Sequence, residues 1–220
     1  MKDIVIYGAG GLGSEIEFLI KRINKTIIKD EDKWNLVGYV VTTYREKEPS
    51  KIIGDERWLF ENCMYENLYI ALGIGDAKAR YEIGNRLLKS IKSSERFPVL
   101  IDPSVIYDDS CIFDPGVIIA AGTVLTVNVT MDNFSFLNLN CTVGHGAYIG
   151  QGVVVNPSVN ISGNVNINRG SLVGTGAQIL QNLNIDEFVQ VGAGAVVTKD
   201  VNFNKTVVGI PAKEIKQREK

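Results

Sequence analysis

The sequence predicts an α/β Rossmann-like unit followed by a parallel β-helix, and three observations carry that prediction. From Ile101 to Val201 a large apolar residue returns every sixth position, through Phe113, Leu125, Val143, Ile161, Ile179 and Val197. Four residues after each stands a second column that is small or β-branched almost throughout, with Val117, Thr123, Cys141, Ala147, Ser171 and Val189 among its members. Ahead of the repeat, the β-rich run Ile4-Val5-Ile6-Tyr7 opens into Gly8-Ala9-Gly10-Gly11-Leu12-Gly13 and then into an amphipathic stretch over residues 14–22.

A period of six matches neither a helix nor a single strand, so it describes the rung of a solenoid whose short strands stack like residues into ladders. Three hexads per coil give between five and six coils. Tyr107 belongs to the large column as Phe113 does. Gly and Asn between the columns (Gly144, Gly150, Gly163, Asn164, Gly170, Gly174, Gly176, Gly192, Gly194) are expected at corners that need a positive φ.

In the N-terminal unit, strand, glycine loop and helix follow in the order that opens a doubly wound fold. Gly8, Gly10 and Gly13 match G-x-G-x-x-G, a spacing that lets a phosphate approach a helix N-terminus. The next strand, residues 36–41, ends in Val41-Thr42 without the carboxylate a nicotinamide dinucleotide requires, so the glycines Gly8, Gly10, Gly11 and Gly13 are read as a nucleotide or nucleotide-sugar pocket. Residues 51–61 are expected as a turn into a short helix, residues 67–76 as a third strand with a glycine turn, and residues 77–90 as a helix. These limits divide the chain into a nucleotide-sugar-binding domain at 1–98, the β-helix at 99–205 and an extended tail at 206–220, whose last residues, 214–220, are expected to form a frayed helix.

Composition excludes several classes. A net charge of −2 gives no basis for nucleic acid binding, and no apolar run reaches the ~18–20 residues of a membrane span. The N-terminus lacks the apolar stretch of a signal peptide, so the protein is expected in the cytoplasm. Cys63, Cys111 and Cys141 are odd in number and without metal-ligand spacing, and no metal is expected.

The glycine loop, the hexads and the ending Val207-Val208-Gly209-Ile210-Pro211-Ala212-Lys213 together resemble the bacterial hexapeptide-repeat sugar O-/N-acetyltransferases. That family includes sialic acid O-acetyltransferases and N-acetyltransferases of nucleotide-linked 4-amino-4,6-dideoxy sugars. The resemblance implies a left-handed β-helix, a homotrimer, acetyl-CoA lying along the prism between two subunits, and a nucleotide-linked sugar held by the α/β domain.

His145 is the only histidine and stands third in its hexad, outside both inward columns, where its ring projects from the surface. An imidazole suits a general base at neutral pH. The resemblance makes His145 that base, acting by direct transfer without an acyl-enzyme, and makes the amide of Gly163, eighteen residues on, the oxyanion contact. It places Asn138 near the acceptor. For acetyl-CoA, Gly163, Gly174, Gly192 and Ala193 are read as an open wall, Lys199 and Lys213 as phosphate contacts, and Ile210 and Pro211 as the adenine side.

Three positions depart from the family pattern: Gly146 stands where an acid usually follows the histidine, Val154 where a second histidine is common, and Val41-Thr42 where an acidic pair closes the second strand. Asp132, or a group from another subunit, is a candidate replacement for the missing acid. The leading reading is N-acetylation of a nucleotide-linked amino sugar. O-acetylation of a sugar of the sialic acid type is second, and a catalytically weak scaffold trimer third.

Overall fold

The structure, a computed structural model, describes residues 1–43, 51–65 and 67–215. The α/β unit runs β1 (Lys2–Tyr7), α1 (Gly11–Thr26), β2 (Trp34–Val41), β3 (Ile52–Asp55), α2 (Glu56–Tyr65), β4 (Tyr69–Leu72) and α3 (Ala77–Ile91). Its strands are all parallel in the order β3-β2-β1-β4. Both faces are covered, so Ile4, Val5 and Ile6 are fully buried, as the unbroken apolar run of a parallel strand requires. Ile16, Leu19 and Ile20 of α1 close one face, while Leu59 of α2 and Leu87 of α3 close the other.

Two expectations are corrected here. Residues 52–55, expected as a turn, form the edge strand β3. Gly54 lets the Trp58 side chain close on it, since a Cβ there would stand 2.6 Å from that side chain. The strand expected as the third is therefore the fourth.

The prism begins at Leu100–Ile101 and has three flat faces. Face 1 carries Ile118–Ile119, Phe136–Leu137, Val154–Val155, Leu172–Val173 and Gln190–Val191. Face 2 carries Val124–Leu125, Thr142–Val143, Asn160–Ile161, Gln178–Ile179 and Val196–Val197. Face 3 carries Ile112–Phe113, Thr130–Met131, Tyr148–Ile149, Asn166–Ile167 and Asn184–Ile185. Every strand pairs with the one eighteen residues away, Thr142 with Asn160 and Asn160 with Gln178, which is three hexads to a coil of a left-handed parallel β-helix. From Val117 and Ile119 onward both columns point inward and are buried, apart from the partly buried Leu183. Tyr107 does not follow. No coil stacks before it, and it lies 45 % exposed with its ring edge-on to Phe113.

The corners expected between the columns fall on a third column of their own, which the sequence reading did not resolve. Every sixth residue from Gly116 to Gly194 takes a φ between +55° and +77°, and Asn128, Asn140, Asn164 and Asn182 share these positions with glycines. Asn164, Gly170, Gly176 and Gly194 are corners of this kind, as expected. Gly144, Gly150, Gly163, Gly174 and Gly192 are not: they have ordinary φ, and each is small because a neighbouring coil comes close, the following coil for four of them and the His145 side chain of the preceding coil for Gly163. A Cβ on Gly144 would stand 2.5 Å from the Gly163 nitrogen, and one on Gly174 would stand 2.5 Å from the Ala193 nitrogen.

The outward residues of face 1 are apolar because the α/β unit sits on them: Leu100, Ile118, Phe136 and Val154 join one core with Ile4, Ile16 and Leu19. Two polar links fasten the joint. Asp102, 1 % exposed, receives Arg22 Nε at 2.5 Å and Nη2 at 3.0 Å, and Arg80, fully buried, donates to the carbonyls of Leu72 (2.7 Å), Ile74 (3.1 Å) and Phe134 (2.5 Å).

The tail is not a separate element. Thr206–Val208 adds a further strand to face 1 beside Gln190–Val191, and Lys213–Ile215 returns antiparallel to it. Glu214 and Ile215, expected in a frayed helix, are thus in a hairpin strand, because pairing with Thr206 and Val207 satisfies their backbone; the rest of that expectation, residues 216–220, lies outside the described residues. No helix among the described residues is long and apolar enough to cross a membrane.

Candidate active site

His145 lies on the corner between faces 2 and 3, in a column with Val127, Gly163, Gln181 and Lys199 at eighteen-residue steps. The residue is exposed, and its ring folds along the prism onto the next coil. A Cβ on Gly163 would stand 2.4 Å from His145 Nε2 and 2.6 Å from Cε1, so only glycine leaves the ring that place. The N–H of Gly163 has no hydrogen-bond acceptor among the described residues, and Gly144 keeps it uncovered. The imidazole thus packs against the residue whose amide N–H is free, which puts a candidate general base and a candidate oxyanion donor on adjacent coils. Gly144 is a site residue that sequence reasoning missed. Its signal was its place one coil before Gly163.

Asp132 does not partner His145. It sits on the corner between faces 3 and 1, accepts from the Tyr148 hydroxyl at 3.0 Å and from the N–H of Asn133, and lies beside Asp114. Burial first, then the Asp132 charge, raises the Asp114 carboxyl above the usual range, and burial with Asp132 pushes Tyr148 up to about 12. Val154 is 1 % exposed beneath the α/β unit, so that position belongs to the joint between the two parts.

Asn138 lies on the corner between faces 1 and 2, where its Oδ1 accepts from the N–H of Leu139 at 2.8 Å. It borders an apolar hollow with Leu12 and Ile16 of α1, Ala120 and Phe136. Within one chain it is separated from His145 by the width of face 2.

The four glycines of the loop divide into two pairs. Gly8 has φ +113°, and a Cβ on it would stand 2.7 Å from the Gly73 carbonyl oxygen; one on Gly13 would stand 2.2 Å from the carbonyl oxygen of Gly8. These two hold the turn, with Gly73 as a third member of the contact. Gly10 and Gly11 are exposed, a Cβ on either would meet nothing within 4 Å, and no acidic side chain occupies the first turn of α1.

At the end of β2 a carboxylate is present after all, supplied by α2. The Tyr7 hydroxyl lies 3.1 Å from Thr42 Oγ1 and donates to Glu56, which also pairs with Arg86. Burial, then Glu56, pushes the Tyr7 hydroxyl up to about 12. Sequence reasoning missed Glu56 because it lies fourteen residues past Thr42 in the chain.

The residues read as an acetyl-CoA site also fall on two corners. Gly174, Gly192 and Ala193 lie between faces 1 and 2, beside the open Gly176 and Gly194. Lys199 stands on the His145 corner, three coils on. Ile210, Pro211 and Lys213 belong to the hairpin, exposed, and the turn is tied to face 2 by the Ala212 N–H donating to the Val196 carbonyl at 2.8 Å. Among the described residues no group of three His, Cys, Asp or Glu side chains could hold a metal ion.

Residues 3–87 match the family model of the PglD N-terminal domain. No curated protein matches the chain by sequence. Among solved structures, perosamine N-acetyltransferase from Caulobacter crescentus, with CoA and GDP-perosamine, superposes with a TM-score of 0.85 at 21% identity over 98% of this chain and 97% of that one. WeeI from Acinetobacter baumannii AYE gives 0.81 at 25% identity over 96% and 99%, and the acetyltransferase domain of PglB from Neisseria gonorrhoeae FA1090 gives 0.67 at 25% over 98% and 100%. The chain therefore joins an N-terminal unit that matches the PglD N-terminal domain model to a left-handed β-helix, and over 96–98% of its length it shares the fold of these acetyltransferases.

Proposed function

We propose that this chain is an acetyl-CoA-dependent N-acetyltransferase that acetylates the amino group of a nucleotide-linked amino sugar. The observation that carries the reading is the His145 imidazole lying over Gly163, whose amide N–H is free. The comparisons support it: residues 3–87 match the PglD N-terminal domain, and the Caulobacter enzyme of the same fold is an N-acetyltransferase solved with CoA and a GDP-linked sugar.

The acceptor amine attacks the thioester carbonyl carbon, and the oxygen that becomes negative is held by the Gly163 N–H. His145 Nε2 takes the proton from the attacking nitrogen. When the tetrahedral adduct collapses, the C–S bond breaks, and the imidazolium returns the proton to the leaving thiolate. Gly10 and Gly11 with the first turn of α1 receive the phosphates of the sugar nucleotide, and Asn138 meets the sugar.

The working unit in this reading is a homotrimer. The wall at Gly174, Gly192 and Ala193 and the base at His145 are on different corners of one chain, and a groove between two copies brings such corners together over one acetyl-CoA, with Lys199, Lys213, Ile210 and Pro211 along its length. Cys63, Cys111 and Cys141 are unpaired, which fits a reducing compartment, the cytoplasm.

The test is thiol release from acetyl-CoA with product mass, on nucleotide-linked 4-amino sugars against hydroxyl sugars including sialic acid. Turnover of an amino sugar nucleotide that vanishes in His145→Ala is expected. Turnover of hydroxyl sugars alone overturns the choice of acceptor. Sedimentation at three times the chain mass is expected, and a monomer would overturn the shared groove.

A further inference from the structure

The His145 corner lacks the carboxylate that a residue at 146 would supply, and another side chain has moved into its place. Gly146 takes φ +65°, and a Cβ on it would stand 2.6 Å from Oδ1 of Asn164, one coil on. Two bonds hold Asn164 there: its N–H donates to the carbonyl of His145 at 2.8 Å, and its Nδ2 donates to Oδ1 of Asn182 at 3.1 Å. With the amide nitrogen committed to the following coil, the amide oxygen is turned back towards the coil of His145. No hydrogen bond to that oxygen, and none to the imidazole, occurs among the described residues.

We propose that Asn164 is a positioning residue for His145: its side-chain carbonyl accepts the Nδ1–H of the imidazole when the ring engages substrate, holding the tautomer that leaves the Nε2 lone pair over Gly163. This inference rests on reading His145 as the base. The second nitrogen of an imidazole sets which nitrogen carries the proton, and a neutral amide can do this as a carboxylate does. The charged side chains on this corner are remote. Asp108 and Asp109 lie two coils before, and Lys199 and Asp200 three coils after, about 10 and 14 Å at ~4.8 Å per coil. On face 3 the adjacent Tyr148 is bonded to Asp132.

The chain has a single histidine, so a ¹⁵N-labelled sample gives one pair of imidazole nitrogens. Two variants divide the effect: Asn164→Gly removes the carbonyl and accepts the φ of +55° at this corner, and Asn164→Asp places a carboxylate on the same atoms. The neutral ring of the unaltered protein is expected as the Nδ1–H tautomer with CoA and sugar nucleotide bound. Asn164→Gly loses that preference and lowers kcat about tenfold at nearly constant KM, with about 1.4 kcal/mol as the equivalent barrier change. In Asn164→Asp the imidazole titration and the acid limb of kcat/KM both move to higher pH by about one unit.

Identical nitrogen shifts and titrations in all three proteins overturn the proposal. If Asn164→Gly fails to fold, the isosteric Asn164→Asp decides. The titration is read on the free protein as well, so a shift in Asn164→Asp without any turnover of amino sugars would sink the acetyltransferase reading and leave the coupling of these two residues standing.

Discussion

Nε2 of His145 stands 2.4 Å from where a Cβ on Gly163 would be, too close for any side chain there, so the imidazole of one coil covers the backbone of the next. Gly144 approaches the same amide from the other side, 2.5 Å from its would-be Cβ to the Gly163 nitrogen. The two glycines guard one N–H against different obstacles, and their substitutions should fail differently.

In Gly163→Ala the obstacle is a ring that can swing away. The melting temperature is expected to hold within a few degrees while kcat falls about 10²–10³-fold, the range set by a displaced general base, since the backbone N–H itself remains. In Gly144→Ala the obstacle is backbone, which cannot yield, so stability falls by about 1–3 kcal/mol as well. Thermal melts beside thiol-release rates check both. Equal melting losses in the two variants would contradict the assignment.

The glycine loop yields a second contrast. Gly10→Ala meets nothing within 4 Å, so it should leave the fold intact and raise KM for the sugar nucleotide about tenfold by crowding its phosphates. Gly13→Ala drives a methyl against the Gly8 carbonyl and should lower stability instead. Chemical denaturation and substrate titration separate the two, and a Gly10→Ala protein with unchanged KM would remove the phosphate from this loop.

Among the described residues Arg80, with no exposed surface, has no carboxylate partner and its Nη2 is without a hydrogen bond, and burial pulls its pKa down to about 9. Its value lies in three carbonyls, two at the end of β4 and one at the Phe134 corner. Arg80→Met should cost about 2–3 kcal/mol by leaving these acceptors unpaired, seen as a lower urea midpoint.

Glu17 gives a pH dependence. Lys21 first, then Tyr39 and Lys51, hold its carboxyl down to about 2, against an ordinary value of 4.5. Its native value is the depressed one, so its stabilisation is complete above about pH 4.5 and is lost as pH falls towards 2. The melting temperature should drop as pH falls from about 4.5 to about 2, and Glu17→Gln should flatten that drop.

The prism was legible because each inward position recurs without interruption, and the columns from Val117 onward are buried as the period requires. The glycines were legible as necessary but not as to why. A positive φ at Gly146 and a backbone passing Gly144 both exclude a side chain, and sequence cannot tell them apart. His145 and Gly163 could be paired by counting eighteen. Asn138, only seven residues from His145, is a whole face away, and Asn164 became visible only once its side chain was seen against Gly146. Ile52–Asp55 was missed because four residues are too few to show alternation, and Glu56 because tertiary packing, not spacing, brings it to Tyr7.

The unbroken corner count from Gly116 to Gly194 makes the prism a graduated scale. Loop growth cannot slide one site past another along its axis; separations change only by a full turn of eighteen residues, about 5 Å each. The imidazole of His145 and the ammonium of Lys199 are three graduations apart, about 14 Å. On the proposed reading, with His145 and Lys199 at the two ends of an acyl carrier, its reach is set by arithmetic: a longer carrier calls for another whole turn, and deleting one turn brings the two ends closer by about a third.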